Sequence, residues 1–237
     1  MARIAYDETD AAAFAATRHL PADALTEWRA AAARHLPRTG TLVDLGAGTG
    51  MWSRAFTGWF PALRVVAVEP SAAMRNRAAF RPLVAGDAGH LPLAAGSADA
   101  VWLSTVIHHV PDLRAAGREL RRVLRPGGKV LIRSVFAGRP DGVSLFRWWP
   151  SAVRVLDTYP SIEEIVTAFD GFTAHRVESV PQVTAPSARV AAERLRRAAH
   201  TPLQLITDAE FAEGLARLRA ETSAEPVVDS LDLLVLE

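Results

Sequence analysis

The chain has 237 residues, 49% of them hydrophobic, which suits one α/β domain or one such domain with an added cap. Its 27 basic and 26 acidic residues leave a net charge of +1, so no global field draws it to nucleic acid or to an anionic membrane. Without cysteine there is no disulfide framework, no thiolate nucleophile and no cysteine metal site. The opening residues lack an apolar signal core, and no stretch reaches the roughly 18 apolar residues of a membrane span. The expectation is a soluble, cytoplasmic protein.

Residues 9–36 are rich in Ala and place Phe14, Leu20, Leu25, Trp28 and Leu36 among charged side chains. The pattern predicts two helices broken at Pro21. The first, near Tyr6, Arg18 and His19, is either a lid over a site or a packing helix with a solvated polar face. Leu42, Val43 and Leu45 then end a buried strand, and Gly46, Gly48 and Gly50 turn the backbone towards a helix starting near Met51. Glycines at such a turn permit positive φ, and the helix start offers N–H groups without helical partners. That niche suits a nucleotide-like ligand.

The run Arg64-Val65-Val66-Ala67-Val68 predicts a second strand ending at Glu69-Pro70, and Ser71 is placed to cap a helix reaching Ala79. A carboxylate at the tip of the second strand can accept hydrogen bonds from both hydroxyls of a ribose. Leu83, Val84 and Ala85 form a third strand that ends near Asp87, so two successive strand tips carry acids facing one crevice. Ala98 to Leu103 is the fourth strand, followed by a loop from Ser104 to Pro111 and by a helix capped by Asp112, with Leu113, Ala116, Leu120, Val123 and Leu124 on one face. Arg125-Pro126-Gly127-Gly128 has the residues of a type II turn, and Lys129 to Val135 is a fifth strand. This alternation predicts a parallel sheet covered on both faces.

Residues 137–160 lose periodicity and carry Trp148 and Trp149, as loops over ligands often do. Ser161 and Glu164 make a capping box for a helix that Asp170-Gly171 ends. A sixth strand over residues 172–180, helices near 187–200 and from Thr207, and a last strand over 227–236 complete the chain. Seven strands are expected in all.

Together these residues resemble the class I S-adenosylmethionine-dependent methyltransferases, in the small-molecule branch that includes the ubiquinone and menaquinone enzymes. The resemblance covers residues 42–135 well and the rest loosely. It implies a doubly wound, Rossmann-like seven-stranded α/β sheet of order 3-2-1-4-5-7-6, strand seven antiparallel, with helical cap segments. Residues 1–237 would then be one methyltransferase domain, with a lid at 1–37, a cofactor-binding core at 38–136 and substrate cap segments at 137–160 and 181–225. Asp44, Gly46, Ala47 and Gly48 match the first motif, which curves beneath the methionine part of S-adenosylmethionine. Glu69, with Pro70, matches the ribose-binding acid, Met74 would lie against the adenine, and Asp87 with Ala88 matches the segment beside its amine. Ser104 and the loop to His109 match the motif after strand four.

The expected reaction is methyl transfer to a small aromatic or apolar acceptor, natural-product or quinone-like, at O, N or C, leaving S-adenosylhomocysteine. His108 is the candidate base, since it follows the fourth strand and an imidazole titrates in the right range; a packed or capping role is its alternative. Arg18, with Tyr6, is the candidate for the cofactor's carboxylate. Tyr6, Trp148 and Trp149, and Trp52 beside them, are candidate walls for the acceptor, or else core of the cap. No metal is expected, because the seven histidines show no ligand spacing apart from His108-His109, whose side chains diverge in most backbones. The oligomeric state is left open. Two rivals share these features: a non-catalytic cofactor-binding partner protein, and a nicotinamide-dependent oxidoreductase. The second wants Gly or Ala where this chain has Met51.

Overall fold

The computed structural model describes residues 22–237. Arg18, Tyr6 and the first of the two helices expected before residue 36 lie outside the described residues. A seven-stranded sheet of order β3-β2-β1-β4-β5-β7-β6 forms the centre. Its strands are β1 (Gly40–Leu45), β2 (Leu63–Val68), β3 (Leu83–Val84), β4 (Ala98–Ser104), β5 (Leu124–Ser134), β6 (His175–Ala185) and β7 (Val227–Leu236). The first five are parallel, and β7 runs antiparallel between β5 and β6. This is the architecture expected from the resemblance.

The apolar runs of the parallel strands feed two layers, because alternate side chains leave opposite faces. Val43, Leu45, Val101, Leu103, Val130, Ile132, Leu234 and Leu236 pack on one side. There they meet Ala116, Leu120 and Val123 of α4 (Leu113–Val123) and Ile162 and Ile165 of α7 (Ile162–Ala168). Leu42, Ala100, Trp102, Leu131, Leu233 and Val235 pack on the other. They are covered by Trp28 of α1 (Ala22–Ala33) and by Trp52 and Phe56 of α2 (Met51–Trp59). Each Val, Leu, Ile or Phe among them, fully buried, contributes about 1.5–3 kcal/mol, so the sheet's position is fixed before any polar contact is counted.

Local chemistry sets the helix starts. Ser71 Oγ accepts from Met74 N and opens α3 (Ala72–Arg77), and Asp112 accepts from Ala115 N at the start of α4. The predicted capping box of Ser161 and Glu164 is present at α7, and Thr207 and Glu210 form a second one at α10 (Asp208–Ala220).

Three regions differ from the sequence reading. The turn at Arg125–Gly128 is absorbed into β5 as an irregularity, with Leu124 opposite Ala98 and Lys129 opposite Ala100. Gly127 still takes the positive φ of 78° that a type II turn requires. Strand β6 starts later and runs further than expected, since β7 pairs with it along its whole length. Residues 137–160 are a packed cap built from α5 (Ser144–Trp148), a 3-10 turn at Pro150–Ala152 and α6 (Val153–Leu156). They share a third apolar cluster with α8 (Ala188–Arg194), α9 (Thr201–Gln204) and α10.

Candidate active site

The turn after β1 is held where it is by the end of β2: the N–H groups of Gly46 and Ala47 donate to Val68 O at 2.8 and 3.1 Å. Gly46, Gly48 and Gly50 all have positive φ, at 71°, 56° and 83°. At Gly46 a Cβ would stand 2.4 Å from Val106 Cγ2, so glycine is required there twice, for its backbone and for the loop beyond β4 that crosses over it. Gly46 and the strand-four loop are thus one construction.

Glu69 sits at the tip of β2 and is only 6% exposed. Its Oε2 accepts from Gly48 N and its Oε1 from Ser71 N, each at 2.8 Å. Burial pushes its carboxyl above the usual range, and the two backbone donors work against that rise. Each oxygen keeps a further lone-pair direction, so the carboxylate is fixed in place yet still able to accept from a ligand. Arg75 closes the outer side of the tip by donating to the carbonyls of Glu69 and Pro70.

Asp44 lies beneath the same turn, 1% exposed. Ser53 Oγ, itself fully buried, donates to its Oδ2 at 2.5 Å. Burial raises the Asp44 pKa to about 7; the Ser53 hydrogen bonds oppose the rise and the Glu69 charge adds to it. A site with two buried acids this close favours a ligand that brings positive charge.

Past β3, Asp87 is exposed, and its Oδ1 accepts from Gly89 N and His90 N at 2.8 and 3.0 Å. Met74 is buried in α3 and Ala88 is buried against the core. The tips of β1, β2 and β3 therefore bring Asp44, Glu69 and Asp87 to the carboxyl edge of the sheet, where open α/β sheets bind ligands.

On the other side of the crevice, Thr105 leaves β4 in the left-handed region, φ 53°. That conformation costs a β-branched residue about 1–2 kcal/mol and is typical of functional sites. Its N–H donates to Arg133 O at 2.7 Å and its hydroxyl to Ser104 O at 2.8 Å. One 3-10 turn follows (Ile107–His109) and brings His108 to 8% exposure. The rings of His108 and His109 do not diverge: their centroids are 4.1 Å apart, because the loop is neither extended nor regularly helical. His108 also stacks on Tyr159 of the cap, at 4.2 Å.

Sequence reasoning missed the neighbour of Ser104. Arg133, near the end of β5, is 5% exposed and donates to Ser104 Oγ at 3.1 Å and to Gln182 Oε1 at 2.6 Å. Its guanidinium lies over Trp28 and Trp52, 4.7 and 5.2 Å from their ring centroids, and Trp28 Nε1 donates to the same Gln182 oxygen. The basic residue ending an apolar strand run was the only signal. Trp148 and Trp149 are buried in the cap's own core, Trp149 donating to Phe211 O at 3.0 Å. A cavity of about 610 Å³ lies lower in the cap, between α5 and the segment entering β7, and none of the residues above lines it. Among the described residues no group of three or more His, Asp or Glu is arranged to hold a metal ion. No described helix is long and apolar enough to cross a membrane.

An open sheet of this order, with a glycine turn after β1 and an acid at the tip of β2, is a Rossmann-like α/β fold. Residues 43–132 match the family described as "Methyltransferase domain". Among curated proteins, the chain is 34% identical over 150 residues to 27-O-demethylrifamycin SV methyltransferase of Amycolatopsis mediterranei, covering 59% of this chain and 53% of that one. It is 35% identical over 133 residues to a demethylmenaquinone methyltransferase of Roseiflexus, covering 52% and 55%. The chain thus spans about half the length of these relatives. Among solved structures, a candidate methyltransferase from an antibiotic biosynthesis pathway of Anabaena variabilis superposes with a TM-score of 0.70 at 23% identity, over 90% of this chain and 97% of that one. Phosphoethanolamine N-methyltransferase 2 of Haemonchus contortus, solved with phosphomonomethylethanolamine and S-adenosylhomocysteine, gives 0.62 at 20% identity, over 99% and 58%. At these identities the structures establish the shared fold.

Proposed function

We propose that the chain binds S-adenosylmethionine at the tips of β1 to β3 and transfers its methyl group to the hydroxyl of a small aromatic or apolar acceptor, natural-product or quinone-like. The observation that carries this reading is Glu69, whose two oxygens are pinned by Gly48 N and Ser71 N directly beside the glycine turn. The match of residues 43–132 to the methyltransferase-domain family supports it. So does the chemistry of the donor set, since a cationic nucleoside fits two buried carboxyls better than a dinucleotide pyrophosphate does.

Within this reading, Gly46, Ala47 and Gly48 supply main chain to the methionine part and Asp44 supplies negative charge beneath it. Glu69, beside Pro70, accepts from the ribose; Met74, Asp87 and Ala88 border the adenine. Ser104, whose hydroxyl accepts from Arg133, is assigned to the cofactor from the tip of β4. Arg18 and Tyr6 are proposed, from the sequence, to reach the cofactor's carboxylate and the acceptor as part of a lid over residues 1–37. Trp148 and Trp149 would shape the acceptor side from within the cap at 137–160, to which 181–225 adds a second segment.

When bound, the cofactor supplies a methyl on a sulfonium, whose carbon–sulfur bond breaks as the acceptor's electron pair takes the carbon. The protein's main task is then alignment in a dry pocket. A hydroxyl acceptor also has a proton to lose, and we assign its removal to His108, beyond the tip of β4. The test is incubation with S-adenosylmethionine and a panel of a naphthohydroquinone, a catechol, a carboxylic acid and an amine, read as S-adenosylhomocysteine release and product mass. Methylation of the hydroxyl compounds is expected. Methylation of the amine alone would remove the role given to His108.

A further inference from the structure

Tyr159 belongs to no motif, yet its ring lies parallel to the His108 imidazole, with planes within 1° and centroids 4.2 Å apart. The two residues come from separate elements. His108 stands on the single 3-10 turn after β4, and Tyr159 closes the turn after α6, where its N–H donates to Leu156 O at 2.8 Å. Tyr159 is 7% exposed and anchored in the cap cluster with Ala152 and Leu156. From below, the left-handed Thr105 fixes the direction in which the His108 loop leaves the sheet. The imidazole is therefore gripped between a strained strand tip and an aromatic face belonging to the cap.

A parallel stack at this spacing covers one face of the imidazole and holds the plane in which its two ring nitrogens lie. An aromatic face also favours a positively charged ring over it, the state His108 would reach on taking a proton. We propose that Tyr159 is a positioning residue for His108: it fixes the ring so that the acceptor's O–H proton passes to an imidazole nitrogen without the ring turning. This rests on the reading of His108 as the base. It links the cap to the chemistry, since ordering of the cap and alignment of the base become one event.

The experiment has two arms. In protein with 15N-labelled histidine, long-range proton–nitrogen correlation spectra should give His108 one sharp set of ring signals, with carbon-bound protons moved upfield by the tyrosine ring. Tyr159→Phe should keep that signature and Tyr159→Leu should lose it, with broadened or doubled signals. In the kinetic arm the acceptor probe is 1,4-naphthohydroquinone. Tyr159→Leu should lower kcat by about tenfold or more, within the roughly 10²–10⁴-fold a positioned base contributes, with KM for the cofactor unchanged and Tyr159→Phe restoring the rate. In a His108→Ala background Tyr159→Leu should change kcat no further. An unchanged His108 spectrum in Tyr159→Leu overturns the proposal without any need for turnover, and so does an equal loss of kcat with and without His108. A rate that His108→Ala leaves intact overturns the base reading itself, and appears separately from the Tyr159 spectra.

Discussion

Replacing Asp44 with Asn should change how stability depends on pH, and the sign follows from burial. The folded-state pKa of Asp44 is raised from 3.8 to about 7, whereas in the unfolded chain the group titrates near about 3.9. Between those values the folded protein holds a proton that the unfolded chain has already released. Stability therefore falls as pH rises from about 4 to 7 and is flat for this group outside that window. At about 1.4 kcal/mol per pH unit the full effect is on the order of 4 kcal/mol, an upper bound because the site can relax. Asn keeps the shape and can still accept from Ser53 Oγ, the donor at 2.5 Å, but carries no charge at any pH. Urea unfolding of both proteins from pH 4 to pH 8 is the assay. The wild type should lose stability relative to Asp44→Asn as pH rises, by a few kcal/mol at most, and the difference should level off above about pH 8. Glu119 and Glu210, both lowered to about 2, titrate in both proteins and cancel, so the difference reports Asp44 together with its coupling to Glu69. Parallel pH profiles would refute the reasoning.

Glu69→Gln leaves one oxygen where two are needed, so Gly48 N or Ser71 N faces an amide donor. The loss of about 1–3 kcal/mol should raise the dissociation constant for S-adenosylmethionine about ten- to a hundredfold, measured by calorimetry. Gly46→Ala puts a Cβ 2.4 Å from Val106 Cγ2 at a φ of 71°. It should cost about 2 kcal/mol or more in chemical denaturation, and Val106→Ala in the same chain should recover the steric part but not the backbone part.

The sheet was legible because its strands carry two signals at once. Val65 to Val68 and Val101 to Leu103 read as continuous apolar runs, as strands buried on both faces must, and each is punctuated by a Gly, an acid or a cap. Glu69 and the glycine turn were legible for the same reason: their chemistry is local to a strand tip. What escaped the sequence depends on partners far along the chain. Arg133 is fixed by Ser104, Gln182 and two tryptophans, and no periodicity of β5 encodes them. The length of β6 is set by β7, some fifty residues later. Tyr159 lies in a stretch broken by Pro150 and Pro160, where no helical or strand period exists to assign it a face. The small helices of the cap form because Phe146, Trp148, Trp149 and Leu156 bury one another, a tertiary effect that overrides weak local propensity.

The most direct measurement is calorimetric titration of the unliganded protein with S-adenosylmethionine and, separately, with NADH, at pH 8 and again at pH 6. S-adenosylmethionine should bind at one site, more tightly at pH 8, where Asp44 with its pKa of about 7 is charged, than at pH 6, and NADH should give no heat of binding. Binding of NADH with no response to S-adenosylmethionine would contradict the account.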